Sequence, residues 1–197
     1  MRRLIFLFLF CFAAGSTSVA QKTASSPAIE MPTQAPIFSS ADLAAKVPAP
    51  NAEDVKSRDA ILRAIYDVIS GPAGDRDWKR FRSLFLPQAR FTQVGKGPDG
   101  AAFVISWNVD EFVRDAGEVF AKQPFYENAI VNQTESYGSM AQVFSSYESR
   151  HAPSEKPFER GINSIQLLND GNRWWVISIA WNSERADNPL PKKFAKK

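Results

Sequence analysis

The run Trp174-Trp175-Val176-Ile177-Ser178-Ile179-Ala180-Trp181 carries large apolar side chains at nearly every position. Successive side chains of a strand point to opposite faces, so this run presents bulk on both sides and needs cover on both. It belongs in the middle of a sheet. It closes a succession of three predicted long strands, Met140–Arg150, Glu159–Leu168 and Arg173–Asn182. A polar loop parts the first two, and Asn169-Asp170-Gly171-Asn172 parts the last two. Asp-Gly between alternating apolar residues signals a tight hairpin, because glycine supplies the positive φ the turn needs.

Upstream the periodicity changes to that of helices. Asn51 can cap a helix over Ala52–Ser70, with Ile61, Leu62, Ile65, Val68 and Ile69 on one face and Gly71-Pro72 as a stop. A second helix is predicted from Asp75 or Asp77 to Phe85, with Trp78, Phe81, Leu84 and Phe85 along one side and Pro87 at its end. Strands at Arg90–Val94 and Ala101–Trp107 follow, joined by Gly95-Lys96-Gly97-Pro98-Asp99-Gly100. That loop opens no helix and lacks a terminal Lys-Ser/Thr, so it reads as a hairpin turn and not a phosphate cradle. Asn108 and Glu111 form a capping box for a third helix, and Phe125–Glu135 is the next strand.

Met1-Arg2-Arg3, the short apolar segment Leu4–Ala14 and the small residues ending at Ala20 read as a Sec-type signal peptide over 1–20, which implies a periplasmic or secreted protein. Phe10 before Cys11 does not fit a lipoprotein signal. Cleavage removes Cys11, the only cysteine, so no disulfide holds the mature chain. It also removes Arg2 and Arg3, taking the formal charge from +3 to about +1, which gives no strong attraction to nucleic acid and leaves no membrane span. Residues 21–50, rich in Pro, Ala and Ser, read as a flexible leader; 51–183 form one domain; 184–197 read as a basic, solvated C-terminal tail.

Helices first, a short strand pair, a third helix and then long antiparallel strands make an α+β arrangement. This order, with Gly138-Ser139-Met140-Ala141-Gln142-Val143, Gly161-Ile162-Asn163-Ser164-Ile165-Gln166-Leu167 and Arg173-Trp174-Trp175-Val176-Ile177, resembles the nuclear transport factor 2-like superfamily, in particular its secreted SnoaL-like or polyketide-cyclase-like members. The resemblance covers about Asn51 to Ser183. It implies three helices of the N-terminal half packed on a strongly curved, mainly antiparallel sheet: a cone-shaped α+β barrel with a pocket between the layers and an outer sheet face that often makes a homodimer. The superfamily holds isomerases, dehydratases, epoxide hydrolases, cyclases and binders without catalysis, so the fold implies no single chemistry.

Chemistry has to come from the residues. His151 is the only histidine and no His/Cys/Asp/Glu cluster has ligand spacing, so neither metal nor cofactor is expected. Alternation places Gln142, Phe144, Ser146, Glu148 and Arg150 on one face of their strand. If that face is concave, Glu127, Glu148 and Arg150 become candidate catalytic residues at the pocket mouth for general acid–base work of isomerase, cyclase or hydrolase type. The competing arrangement is a Glu148–Arg150 ion pair on the convex side. The candidate ligand-binding residues are Trp78, Phe81, Trp107, Phe112, Phe125, Asn163, Trp175 and Trp181. A cavity among such rings suits an apolar small molecule, and filled aromatic core is the alternative.

Overall fold

Six strands form one sheet in the computed structural model, which describes residues 38–195. They are β1 (Phe85–Lys96), β2 (Ala102–Trp107), β3 (Tyr126–Tyr137), β4 (Met140–Arg150), β5 (Glu159–Asn169) and β6 (Trp174–Ser183). Their order is β2-β1-β6-β5-β4-β3, with β1 and β6 parallel and every other pair antiparallel. The two-sided β6 has a neighbour on each edge, as its bulk demands. The expected signal peptide and leader residues 21–37 lie outside the described residues.

Five α-helices precede or interrupt the strands: α1 (Ser40–Ala44), α2 (Ala52–Val55), α3 (Arg58–Ile69), α4 (Trp78–Ser83) and α5 (Val109–Phe120). The single helix expected over Ala52–Ser70 is two, because the Ser57 side chain accepts from Ala60 N and starts a new helix. Asn108 and Glu111 form the predicted capping box on α5. The leader is not wholly extended: Ser39 and Asp42 cap α1, Leu43 is buried, and Ser40 Oγ donates to Asp170 O on the β5–β6 turn at 3.4 Å.

Register lays the helix-facing side of the sheet out in rows. Ala141, Leu167, Val176 and Phe85 share one row, and Val143, Ile165, Ile179, Phe91 and Trp107 the next. Both rows are apolar and sit under the helices, where Phe81 of α4 meets Phe85, Phe91 and Phe112 with ring centroids 4.6, 5.8 and 5.5 Å away. The following row, Asn132, Ser145, Asn163 and Trp181, turns polar. Beyond it come Tyr147, Gly161 and Ser183, then Glu127, Ser149 and Glu159. One end of the concave face is thus core and the other a polar mouth.

Two expectations about faces are corrected here. Ile177 is an extra residue in β6, since Gln166 pairs with Ser178 but Leu167 with Val176. A bulge breaks the period of two, so Trp174 and Val176 pack on the helix side while Trp175 moves to the outer side. Trp175 therefore lines no pocket. It is nonetheless 0% exposed, with its indole N–H on Asp170 Oδ2 at 2.8 Å and the Arg173 guanidinium 3.7 Å from its ring centroid. Nor is the C-terminal tail simply solvated. Phe194, in a short 3-10 helix over Lys192–Phe194, is only 4% exposed; its carbonyl accepts from Ser146 Oγ at 2.7 Å, and its ring lies 6.1 Å from that of Phe144 on the outer sheet face. An apolar ring can settle there because Ser146 leaves room and a donor.

Candidate functional site

β3, β4 and β5 each deliver polar side chains to the concave mouth, and α3 adds one from above. Glu127 of β3 accepts from Ser149 Oγ at 2.8 Å and, at 3.5 Å, from Asn163 Nδ2. Asn163 also donates to Tyr66 Oη of α3 at 3.2 Å, and Tyr66 Oη lies 2.5 Å from Ser145 Oγ. Beside this chain, Glu159 Oε1 accepts from Tyr147 Oη at 2.7 Å and from Ser183 Oγ at 2.9 Å. The backbone of Glu127 is held by Ser70 at the end of α3, whose hydroxyl bonds its N–H at 3.0 Å and its carbonyl at 3.2 Å.

The electrostatics follow from that setting. Loss of water around the Glu127 carboxyl, which is enclosed although the residue as a whole is half-buried, pushes its pKa up to about 7; the Ser149 and Asn163 hydrogen bonds oppose the rise, and the charge of Glu159 adds to it. Burial, reinforced by the charge of Glu127, raises the Tyr66 phenol above its ordinary value. Burial and then Glu159 do the same for Tyr147. Both phenols consequently stay protonated at neutral pH; Tyr147 donates to Glu159, and Tyr66 accepts from Asn163. Near pH 7 Glu127 is close to half protonated, which is the condition for a group that gives and takes protons.

Of the three carboxylate and guanidinium candidates, only Glu127 reaches this site. Glu148 and Arg150 lie on the outer face, paired at 2.7 Å, with Arg150 also bonded to Asn128 Oδ1 and Glu155 O at 2.9 Å each. The reason is register: Ala141, Val143, Ser145, Tyr147 and Ser149 face the helices, so the alternate set faces away. Asn163 lies inside the site. Trp107 and Trp181 stack at 5.7 Å, both half-buried, with Phe112 edge-on to each at 6.4 and 6.5 Å; they wall the apolar side of the mouth. Phe81 is core, and Trp78 packs between it and Phe120 at 5.6 and 6.2 Å. Phe125 stacks on Phe120 at 4.8 Å and meets Phe158 edge-on at 6.3 Å, which in turn stacks on His151 at 4.4 Å, forming an aromatic rim. Tyr66, Tyr147 and Glu159 were missed as site residues. The signal was present, since the odd-numbered face of β4 opens with Ala141 and Val143 and only later turns polar.

Gly161 makes the Tyr147–Glu159 contact available. A Cβ there would stand 2.7 Å from Tyr147 Cε1 and 2.5 Å from Asn182 O, and the latter is backbone that cannot swing aside. Gly161→Ala is expected to cost about 1–3 kcal/mol of stability through overpacking. Thermal unfolding checks this, and near-ultraviolet circular dichroism reports whether the Tyr147 ring has moved.

A separate cleft of about 580 Å3 opens between α3 and β3, with Leu62, Tyr66 and Ala129 among its lining residues and Asp59, Arg63 and Asn132 adding polar groups. Tyr66 thus joins the cleft to the interior cluster. Among the described residues no group of three or more His, Cys, Asp or Glu side chains could hold a metal ion, and no helix is long and apolar enough to cross a membrane.

No protein-family model matches the chain, and no curated protein sequence matches it either. Solved structures do. A proposed dehydratase of the NTF2-like family from Streptomyces avermitilis aligns with a TM-score of 0.50 at 15% identity, over 68% of this chain and 97% of that one. The chain has the nuclear transport factor 2-like fold. The beta subunit of a proposed aromatic-ring-hydroxylating dioxygenase from Novosphingobium aromaticivorans aligns equally well, with a TM-score of 0.50 at 12% identity over 68% of this chain and 95% of that one. Identities this low establish the NTF2-like architecture and leave the chemistry to the residues at the mouth.

Proposed function

We propose that this NTF2-like domain is exported and binds a small, largely apolar molecule at the concave mouth, with Glu127 meeting the molecule's polar group. The observation that supports this reading is the Glu127 carboxyl, set between Ser149 and Asn163 on the face where Trp181, the direct register partner of Asn163, supplies an apolar wall. Ligand sites of this kind combine apolar walls with a few convergent polar groups. A second reading, general acid–base catalysis on the bound molecule, is favoured by the titration of Glu127 near neutrality beside the protonated Tyr66 phenol. Pairing of two copies across the outer sheet face remains part of the proposal, on the area beside Phe194 where Met140 and Phe144 are 58% and 38% exposed. Light scattering of the mature protein tests it, and a monomer counts against it.

Thermal-shift screening with sterols, polyketide-type aromatics and fatty acids tests the binding reading. At least one class is expected to raise the unfolding temperature, and Glu127→Gln or Trp181→Ala to abolish that shift. Arg150→Ala is expected to leave it intact, because its side chain lies on the other face of the sheet. No shift with any of these classes or with the aromatic amines, alcohols and carboxylates titrated below overturns the reading. Export is tested by the N-terminus of the processed protein, expected at Gln21.

A further inference from the structure

Glu127 and Glu159 stand in one cross-strand row with Ser149 between them, and the donors that reach them are neutral: Ser149 and Asn163 on Glu127, Tyr147 and Ser183 on Glu159. None of the basic groups on the surrounding elements forms an ion pair with either acid. Arg150 of β4 pairs with Glu148 on the outer face, Arg160 of β5 pairs with Glu184 at 2.7 Å, and Arg185 after β6 bonds Asn182 and Asp187 at 3.0 and 3.1 Å. On α3, Arg63 is exposed along the outer cleft with Asp59 and Asp67. His151 turns its Nδ1 toward Pro124 O at 3.3 Å and stacks on Phe158. Among the described residues, neither Glu127 nor Glu159 forms an ion pair.

We infer that the molecule taken up at this mouth carries a positively charged nitrogen on a flat apolar body. The inference rests on the binding reading above and adds the charge of the ligand to it. A carboxylate withdrawn from water without a counter-charge is costly, and an ammonium group is the ligand feature that removes the cost for both acids. A neutral hydroxyl would add only a hydrogen bond to groups that already have neutral donors, and a carbonyl, which only accepts, offers nothing to an ionised carboxylate. An anion would meet the charge of Glu159 and, above about pH 7, that of Glu127 as well. Phe158, 49% exposed and next to Glu159 in the chain, carries on its ring face the negative quadrupole that attracts a cation, while Trp107 and Trp181 offer stacking area for the apolar body. Glu127 and Glu159 are half-buried as residues, and neither is sealed in the apolar core.

Calorimetric titration of the mature protein with matched arylalkyl amines, alcohols and carboxylates, in phenyl, naphthyl and indolyl series, provides the test. The amines are expected to bind at least about tenfold more tightly than the matching alcohols at about pH 8, and the carboxylates more weakly than either. The preference is expected to shrink at about pH 5.5, where Glu127 holds a proton while the amine keeps its charge, and to shrink likewise in Glu127→Gln and Glu159→Gln. Circular dichroism confirms that both variants are folded. Alcohols binding as well as amines overturns the charge inference and leaves the binding reading standing. Carboxylates binding best overturns it, as does an amine preference that survives both substitutions. Silence from all three series together with the thermal-shift panel overturns both readings.

Discussion

Replacing Phe81 with alanine is expected to lower the unfolding free energy by about 3–5 kcal/mol, the usual loss for a large aromatic ring deleted from a packed core. The side chain is 1% exposed and its ring meets four others, those of Trp78, Phe85, Phe91 and Phe112, all within 6 Å. No neighbouring backbone is free to collapse into the gap, because β1 and α5 are each held by their own partners. At about 2–4 °C per kcal/mol for a domain of this size, the midpoint should fall by roughly 6–20 °C. Calorimetry on the folded variant checks the figure. Trp107→Ala supplies the contrast. That ring is half-buried and stacks on Trp181 at the mouth, so its loss should disturb ligand shifts more than stability. A small effect of Phe81→Ala would mean that the ring lines a cavity instead of filling the core.

The second large effect is a dependence of stability on pH that traces to one carboxyl. The pKa of Glu127 rises from its ordinary value of 4.5 to about 7 in the folded chain because burial disfavours its charged form. The folded state therefore binds more protons than the unfolded state between those two values. Stability from this group is fully present below the unfolded value and is lost as pH climbs through the folded one. The loss is of the order of 3 kcal/mol across that window. Wild type should unfold at a higher temperature near pH 5 than near pH 7.5, and Glu127→Gln should flatten that slope. The comparison is best made above about pH 5, where carboxylates of ordinary pKa are already ionised in both proteins. A slope unchanged by the substitution would show that the carboxyl is solvated and that the mouth is wetter than its neighbours imply.

The sequence carried the fold further than the site. Met140–Arg150 was read at its observed bounds, and Glu159–Leu168 and Arg173–Asn182 within a residue at each end, because long alternating runs and the Asp170-Gly171 turn are local signals. The capping box at Asn108 was legible for the same reason. Ser57 was not, since a cap inside an otherwise helical pattern competes with propensity and wins only once its hydroxyl reaches Ala60 N. Trp175 was misassigned because a bulge at Ile177 leaves no mark in a run that is apolar throughout. Phe194 looked like part of a soluble tail because one apolar residue among lysines carries no period, and only the space above Ser146 gives it a place.

By itself the sequence determined that this chain makes amphipathic helices and a sheet whose last strand must be covered on both sides, since hydrophobic period and turn chemistry are properties of neighbouring residues. Only the tertiary structure decided which face of β4 looks inward. That choice sends Glu148 and Arg150 outside and gathers Tyr66, Glu127, Tyr147, Glu159 and Asn163, drawn from four separate elements, into one mouth. Strand register is a one-residue decision with opposite outcomes for every side chain, and it is settled by which set packs beneath the helices.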